Sequence, residues 1–306
     1  MQKHIYKIVK LLITIYILLT LAQITALLLN GVNLFESICY SFGTVSTGNF
    51  YPNNTGLHNS TPIIQYILII FMFLSVINYL FYLSFLIRKT KKHHFFEEIK
   101  VYGITILIVI IWLFVIRYHN STQQIWTIFR ETTFQVLSFF STSGYSTSNY
   151  LLWPPYIIMI FVLLLFIGGC ANSPSGGIKF SRFIIMLKNL RYTFKMNGSC
   201  SDNYEIKYDR KKVDEELNLS ILTFITVFGM VFMLGTLFLT MLNINFKNAA
   251  FLSISALSTF GNIHHIANFP EASKIILASL MLIGRLEIYS LILIFTPSIN
   301  KKINHQ

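Results

Sequence analysis

Long apolar runs alternate with short polar stretches along this chain. Six runs have the length of a bilayer crossing: about Tyr6 to Leu29, Pro62 to Ile87, Val101 to Ile116, Pro154 to Leu190, Leu219 to Leu242 and Ser273 to Phe295. A helix needs about 20 mostly apolar residues to cross the hydrocarbon core. The fourth run is interrupted in its middle. The pattern predicts an all-α membrane protein with six spanning segments, one of them broken.

The stretches between runs fall into two kinds. Asn33 to Thr61, His119 to Trp153 and Asn243 to Ala272 share one grammar. A short stretch of helical length comes first, then a Ser/Thr-rich turn containing glycine, then a polar tail. The three read ESICYSFGTVSTGNF, ETTFQVLSFFSTSGYST and AAFLSISALSTFGNIHH, with Gly48, Gly144 and Gly261 at their centres. Helix, short helix, glycine turn and helix therefore recur three times. The predicted units are 1–100, 101–196 and 218–306, with 197–217 as a linker.

Non-helical backbone is tolerated at membrane depth only where it is buried in protein or lines a watery cavity. A short helix that dips into the bilayer and returns through a Ser/Thr-Gly strand meets that condition in a pore. Its carbonyl oxygens can replace the hydration shell of a cation. Glycine lets those carbonyls turn in directions closed to other residues. Candidate ion ligands are the backbone oxygens of Ser46, Thr47, Gly48 and Asn49, of Thr142, Ser143, Gly144 and Tyr145, and of Thr259, Phe260, Gly261 and Asn262. None of these residues is a carboxylate, which favours a monovalent cation over a divalent one. The plainer alternative is three ordinary outward loops rich in Ser, Thr, Gly and Asn.

Within the fourth run, Gly168, Gly169, Gly176 and Gly177 with Pro174 cannot stay helical. Gly168, Gly169, Asn172, Ser173, Ser175, Gly176, Gly177 and Lys179 are the candidate residues of a gate under the glycine turns. The alternative is a plain loop between two shorter helices. Arg285, close to Glu287 in the last run, completes the candidate gate. A charge at mid-bilayer costs about 2.5–3.5 kcal/mol on insertion scales and usually faces an ion path. Arg285 is expected to hold the gate by donating to its carbonyls, or to repel cations. Its alternatives are a packing pair with Glu287 and a head group that reaches the cytoplasmic surface.

Composition agrees with lipid as the solvent. Hydrophobic residues make up 54% of the 306 and charged ones only 12%, against about 25% charged in soluble domains. The formal charge of +12 raises nucleic acid as a partner, but its placement excludes that reading. Nineteen of the 24 Lys and Arg residues lie before run one or in its first residues, between runs two and three, at the end of run four and before run five, or at the C-terminus. By the positive-inside rule those regions are cytoplasmic, and so are both termini. Cys39, Cys170 and Cys200 have no metal-type spacing. His264 and His265, and His93 and His94, are adjacent pairs without further ligands and read as solvated. Glu36, Glu131 and Glu271 share no spacing that suggests acid–base chemistry. No enzyme activity and no cofactor are expected.

These residues carry a resemblance. FIGGCANSPSGGIK is similar to the intramembrane gate loop of the Trk/Ktr/HKT superfamily of potassium transporters. IGRLE, holding Arg285, resembles its last-helix signature, and Thr296 to Ser298 its end. Gly48, Gly144 and Gly261 match the selectivity-filter glycines of its second, third and fourth units. The likeness covers nearly the whole chain and is nearest to the bacterial Trk-type membrane subunit. It implies potassium as transported ion, the bacterial inner membrane, a homodimer, and a cytosolic nucleotide-binding regulatory subunit. It also implies a first pore unit ahead of these three. Either a separate chain supplies that unit, or this chain is a truncated remnant without transport of its own. Asn172 and Pro174 stand where the family usually has Gly and Thr or a similarly small residue.

Overall fold

The computed structural model describes residues 2–52, 56–57, 60–86, 96–121, 123–198, 206–209, 211–261 and 269–287. His93, His94, Cys200, Asn262, His264, His265, the end of run six and Thr296 to Ser298 lie outside them.

Among the described residues, three helices are long and apolar enough to cross a membrane: α1 (Gln2–Leu29), through its Val9–Leu29 part, α5 (Phe96–Asn120) and α9 (Glu215–Met241). At 1.5 Å per residue, α5 with its 25 residues is about 38 Å long. Each is followed by a short helix: α2 (Leu34–Val45), α6 (Ile125–Phe140) and α10 (Phe246–Leu257). After these come α3 (Pro62–Val76), α7 (Pro155–Ile167) and α11 (Glu271–Arg285). α2 packs between α1 and α3, α6 between α5 and α7, and α10 between α9 and α11.

Polarity runs inside out compared with a soluble protein. On α5, Ile104, Leu107, Ile108, Ile111 and Trp112 are exposed. Thr44, Ser138, Ser141, Thr142, Ser143, Ser253, Ser255 and Ser258 are fully buried. Lipid accepts the apolar faces, so they need no cover. Some of the buried hydroxyls find protein partners: Thr44 Oγ1 donates to the Tyr40 carbonyl at 2.7 Å and Ser138 Oγ to that of Tyr145.

Run four is broken as expected: α7 ends at Ile167 and α8 (Phe180–Gly198) begins after a loop. Run two is broken too, which the sequence did not predict. α3 stops at Val76, Ile77 is extended (φ −64°, ψ 142°), and α4 (Tyr79–Leu86) starts anew. The buried Asn78 makes the break. Its Oδ1 accepts from the Leu80 N–H at 3.0 Å, capping α4, and its Nδ2 donates to Glu98 Oε2 at 3.2 Å.

The 197–217 stretch contains a small antiparallel hairpin, Lys207–Tyr208 with Lys211–Lys212. It docks on the start of α5. The Glu97 N–H donates to Asp209 Oδ1 at 3.2 Å and the Asp209 N–H to Glu97 Oε2 at 2.8 Å. Lys188 of α8 ties both ends by donating to Glu97 and to the Lys207 carbonyl.

At the far end of α5, Arg117 joins α5 to α6. It pairs with Glu131 at 2.8 Å, donates to Thr132 Oγ1 at 3.0 Å and lies over the Trp153 ring at 3.8 Å. The pair is 9% and 16% exposed. Breaking such a pair leaves a nearly buried carboxylate without its partner, at a cost of about 3 kcal/mol. Arg117→Ala is expected to lower the melting temperature of the detergent-purified protein clearly, and Glu131→Gln to lower it less. An Arg117→Ala protein that melts like the parent would show the pair to be without weight.

Candidate functional site

Helices α2, α6 and α10 end in the same way. Ser46, Ser141 and Ser258 donate their N–H four residues back, to Phe42, Leu137 and Ile254. Thr47, Thr142 and Thr259 reach three back, to Thr44, Phe139 and Ala256. Gly48, Ser143 and Phe260 reach five back, to Gly43, Ser138 and Ser255, at 2.8, 3.0 and 2.9 Å. This 6→1 closure satisfies helix carbonyls that would otherwise be orphaned. The three threonines share one left-handed conformation, with φ of 54°, 55° and 56°.

These bonds fix the register, and it differs from the one the glycines suggest. Gly48 aligns with Ser143 and Phe260. The residue aligned with Gly144 (φ 75°) and Gly261 (φ 69°) is Asn49 (φ 55°). Gly48 is therefore not the counterpart of the other two glycines. Asn tolerates the left-handed region better than other residues with a side chain.

The three turns converge. A Cβ placed on Gly144 would fall 2.2 Å from the Phe260 carbonyl oxygen and 2.5 Å from Asn49 Cγ. One on Gly261 would lie 3.5 Å from Asn49 Nδ2. Behind them stands an aromatic wall. Phe260 stacks on Phe139 at 4.4 Å, and Phe139 on Phe161 at 4.3 Å. Tyr145 meets Tyr40 and Tyr51 edge-on at 6.1 and 5.1 Å. The Tyr145 hydroxyl donates to the Phe50 carbonyl at 3.1 Å, and Ser138 Oγ to the Tyr145 carbonyl at 2.5 Å. Ser143 Oγ contacts Met72 Sδ at 2.9 Å. The turns are thus braced from outside by packed rings and hydroxyls.

The 168–179 loop closes against all three threonines. The Gly176 N–H donates to Thr142 Oγ1 at 2.9 Å, and Thr47 Oγ1 donates to the Pro174 carbonyl at 3.2 Å. A Cβ on Gly176 would fall 1.9 Å from the Ser258 carbonyl oxygen and 2.7 Å from Thr259 Oγ1. Within the loop, Gly168 lies against Gly176 and Gly177, and Gly169 against Ser175 and Val76. The Ile178 N–H donates to the Phe166 carbonyl at 3.0 Å and that of Phe180 to Gly169 at 2.8 Å. Ser173 Oγ reaches the Cys170 carbonyl at 2.6 Å.

Two cations hold this loop. Lys179 Nζ donates to the Ser173 carbonyl at 2.9 Å and also to that of Ser175. Arg285 Nη1 donates to the Pro174 carbonyl at 2.9 Å. Three successive carbonyls are thereby taken by cationic side chains. Glu287 pairs with Arg182 at 3.1 Å, so the alternative of an Arg285–Glu287 pair does not hold. Arg182 also lies 4.0 Å over the Phe224 ring.

Asn172 Nδ2 donates to Asn78 Oδ1 at 3.5 Å. Here the structure adds two residues that no motif marked. Glu98, fully buried, accepts from the Ala171 N–H at 2.7 Å while its other oxygen accepts from Asn78. The only sequence signal for this anchor is an acid pair, Glu97 and Glu98, at the start of an apolar run.

Such an arrangement defines an all-helical membrane protein built around backbone that leaves the helix inside its core. The sequence profile of the TrkH family, described as cation transport protein, matches residues 2–303. The chain belongs to this family, a family of transporters and not of enzymes. It is 28% identical over 306 residues to the Trk system potassium uptake protein TrkH of Escherichia coli (strain K12), covering 97% of this chain and 63% of that protein. Identity and coverage are the same for the protein of that name from Salmonella typhimurium (strain LT2). To the Trk system potassium uptake protein TrkG of Escherichia coli (strain K12) it is 27% identical over 295 residues, covering 92% of this chain and 59% of that one. The chain thus spans about three fifths of the length of these relatives. Its fold matches the crystal structure of the potassium transporter TrkH from Vibrio parahaemolyticus with a TM-score of 0.87 at 24% identity, over 97% of this chain and 66% of that one.

Since the clash at Gly176 is with backbone, no side chain can swing away to relieve it. Gly176→Ala is expected to push the loop off the turns and lower the melting temperature by several degrees. Gly229→Ala, where an added Cβ meets open space on α9, should leave it unchanged or slightly raised. Equal melting of both variants would contradict the tight apposition of loop and turns.

Proposed function

We propose that the chain lines a potassium uptake pathway across a bacterial inner membrane, with both termini cytoplasmic. The backbone oxygens around Thr47, Thr142 and Thr259 and the residues that follow them act as selectivity filter. The 168–179 loop acts as gate. The single observation that carries this reading is the convergence of three identically closed turns on one unwound loop.

The chemistry is consistent with a cation. Helices α2, α6 and α10 aim their C-terminal ends at the turns, and the negative end of a helix dipole favours positive charge. Alternation between left-handed and other backbone conformations lets successive carbonyls face one direction, as a dehydrated ion requires. Below the turns, Lys179 and Arg285 occupy loop carbonyls that would otherwise be available to the ion. Entry of a cation at that level meets two like charges. In this reading Arg285 holds the gate shut, and release of the Pro174 carbonyl opens it.

Three units, 1–100, 101–196 and 218–306, each contribute one turn. The likeness to Trk-type transporters supports a working assembly that is dimeric and carries a further pore loop, from a separate chain or from sequence outside these units. It also supports a cytosolic nucleotide-binding regulatory subunit. Potassium is cargo, and no cofactor is required.

Rubidium uptake tests the proposal in cells deficient in potassium uptake, with the chain expressed among its flanking reading frames. Uptake above the empty vector is expected, and Arg285→Ala should raise it several-fold by loosening the loop. No uptake from parent or variant, with both verified in the membrane, would overturn the reading.

A further inference from the structure

The register of the three turns puts one side chain where the other two turns have none. Asn49, Gly144 and Gly261 occupy the same step after the left-handed threonine, and all three have positive φ. Gly144 and Gly261 leave the space in front of them empty of side chain. Asn49 fills it. Its Cγ and Nδ2 lie 2.5 and 2.7 Å from where a Cβ of Gly144 would stand, and its Nδ2 lies 3.5 Å from the corresponding point on Gly261. The carboxamide therefore reaches from the first turn across to the backbone of both others.

We propose that Asn49 sets the throughput and selectivity of this pore, its carboxamide occupying the space between the turns that an ion must enter. This rests on the pore reading above. The left-handed backbone at residue 49 suits glycine at least as well as asparagine, so replacing it introduces no strain. A filter works by offering backbone oxygens in place of water. A side-chain amide lodged among those oxygens competes with the ion for both space and ligands. It must swing aside for each passage, or the ion must pass less completely dehydrated. A ring with glycine at all three steps would hold a monovalent ion more closely. A carboxylate at residue 49 would instead attract and retain a divalent ion.

Rubidium uptake by the full assembly, in its natural genetic context, tests this with two variants. Asn49→Gly is expected to raise uptake several-fold over the parent. Asn49→Asp is expected to make uptake sensitive to block by external calcium at concentrations that leave the parent unaffected. Parent-like uptake in Asn49→Gly together with calcium-insensitive uptake in Asn49→Asp would overturn the inference and leave the transport reading standing. Absence of uptake from the parent and both variants, with all three verified in the membrane, would overturn both.

Discussion

A peptide group that leaves the helix inside a bilayer has no water to turn to, and this constraint organises the centre of the molecule. Among the described residues, and besides the break between α3 and α4, four segments leave helical geometry and meet at this centre: three turns after short helices and the loop between α7 and α8. Each turn closes its own helix through the same backbone bonds. In the first two turns the loop meets part of what those bonds leave over, through the Gly176 N–H to Thr142 and through the Pro174 carbonyl, which accepts from Thr47 and also from Arg285. The third turn meets the loop by close packing, its Ser258 carbonyl lying against Gly176. The turns and the loop are each other's solvent, and the aromatic wall of Phe139, Phe161, Phe260 and Tyr145 keeps lipid out.

Threonine, and not glycine, is the constant element of the turns. Thr47, Thr142 and Thr259 share a conformation that costs energy for a β-branched residue. All three stand against the loop: Thr47 and Thr142 through hydrogen bonds, Thr259 with its hydroxyl oxygen beside Gly176. Strain of this kind persists only where surrounding structure over-determines it. Here the 6→1 bonds on one side and the loop on the other do so. Glycine then serves different needs at different places. At Gly144 it admits a neighbouring carbonyl, and at Gly176 it admits the Ser258 carbonyl.

Much of this was legible in the sequence, and the misses have physical causes. The broken fourth run announced itself because glycine and proline cannot be held in a helix. The ends of the three short helices announced themselves through stretches rich in Ser and Thr with glycine. The break in the second run carried no such mark. Ile77 and Asn78 are ordinary in a helix, and the chain departs from it because Asn78 caps α4 and answers a carboxylate twenty residues on. A long-range partner of that kind leaves no local pattern. The register of the first turn was misread for a related reason. Gly48 is the more conspicuous residue, but backbone hydrogen bonds decide the alignment, and they place Asn49 opposite the two glycines.

The start of α5 shows how far the constraint extends beyond the membrane core. Glu98 holds the Ala171 N–H of the loop and the Asn78 amide at the α3–α4 break. Glu97, its neighbour, exchanges N–H-to-carboxylate bonds with Asp209 of the small hairpin and receives Lys188 from α8. Two adjacent residues on one helical turn thus grip the unwound loop and the hairpin between α8 and α9. A helix turn is stiff, so the two grips cannot shift independently. A force that moves the hairpin acts on Glu97. Glu98 must follow, or surrender a carboxylate's hydrogen bonds inside a buried site, where each unmet bond to a charged group is expensive. The loop that closes on the three threonines is therefore positioned from two sides, by Lys179 and Arg285 through its carbonyls and by Glu98 through its N–H.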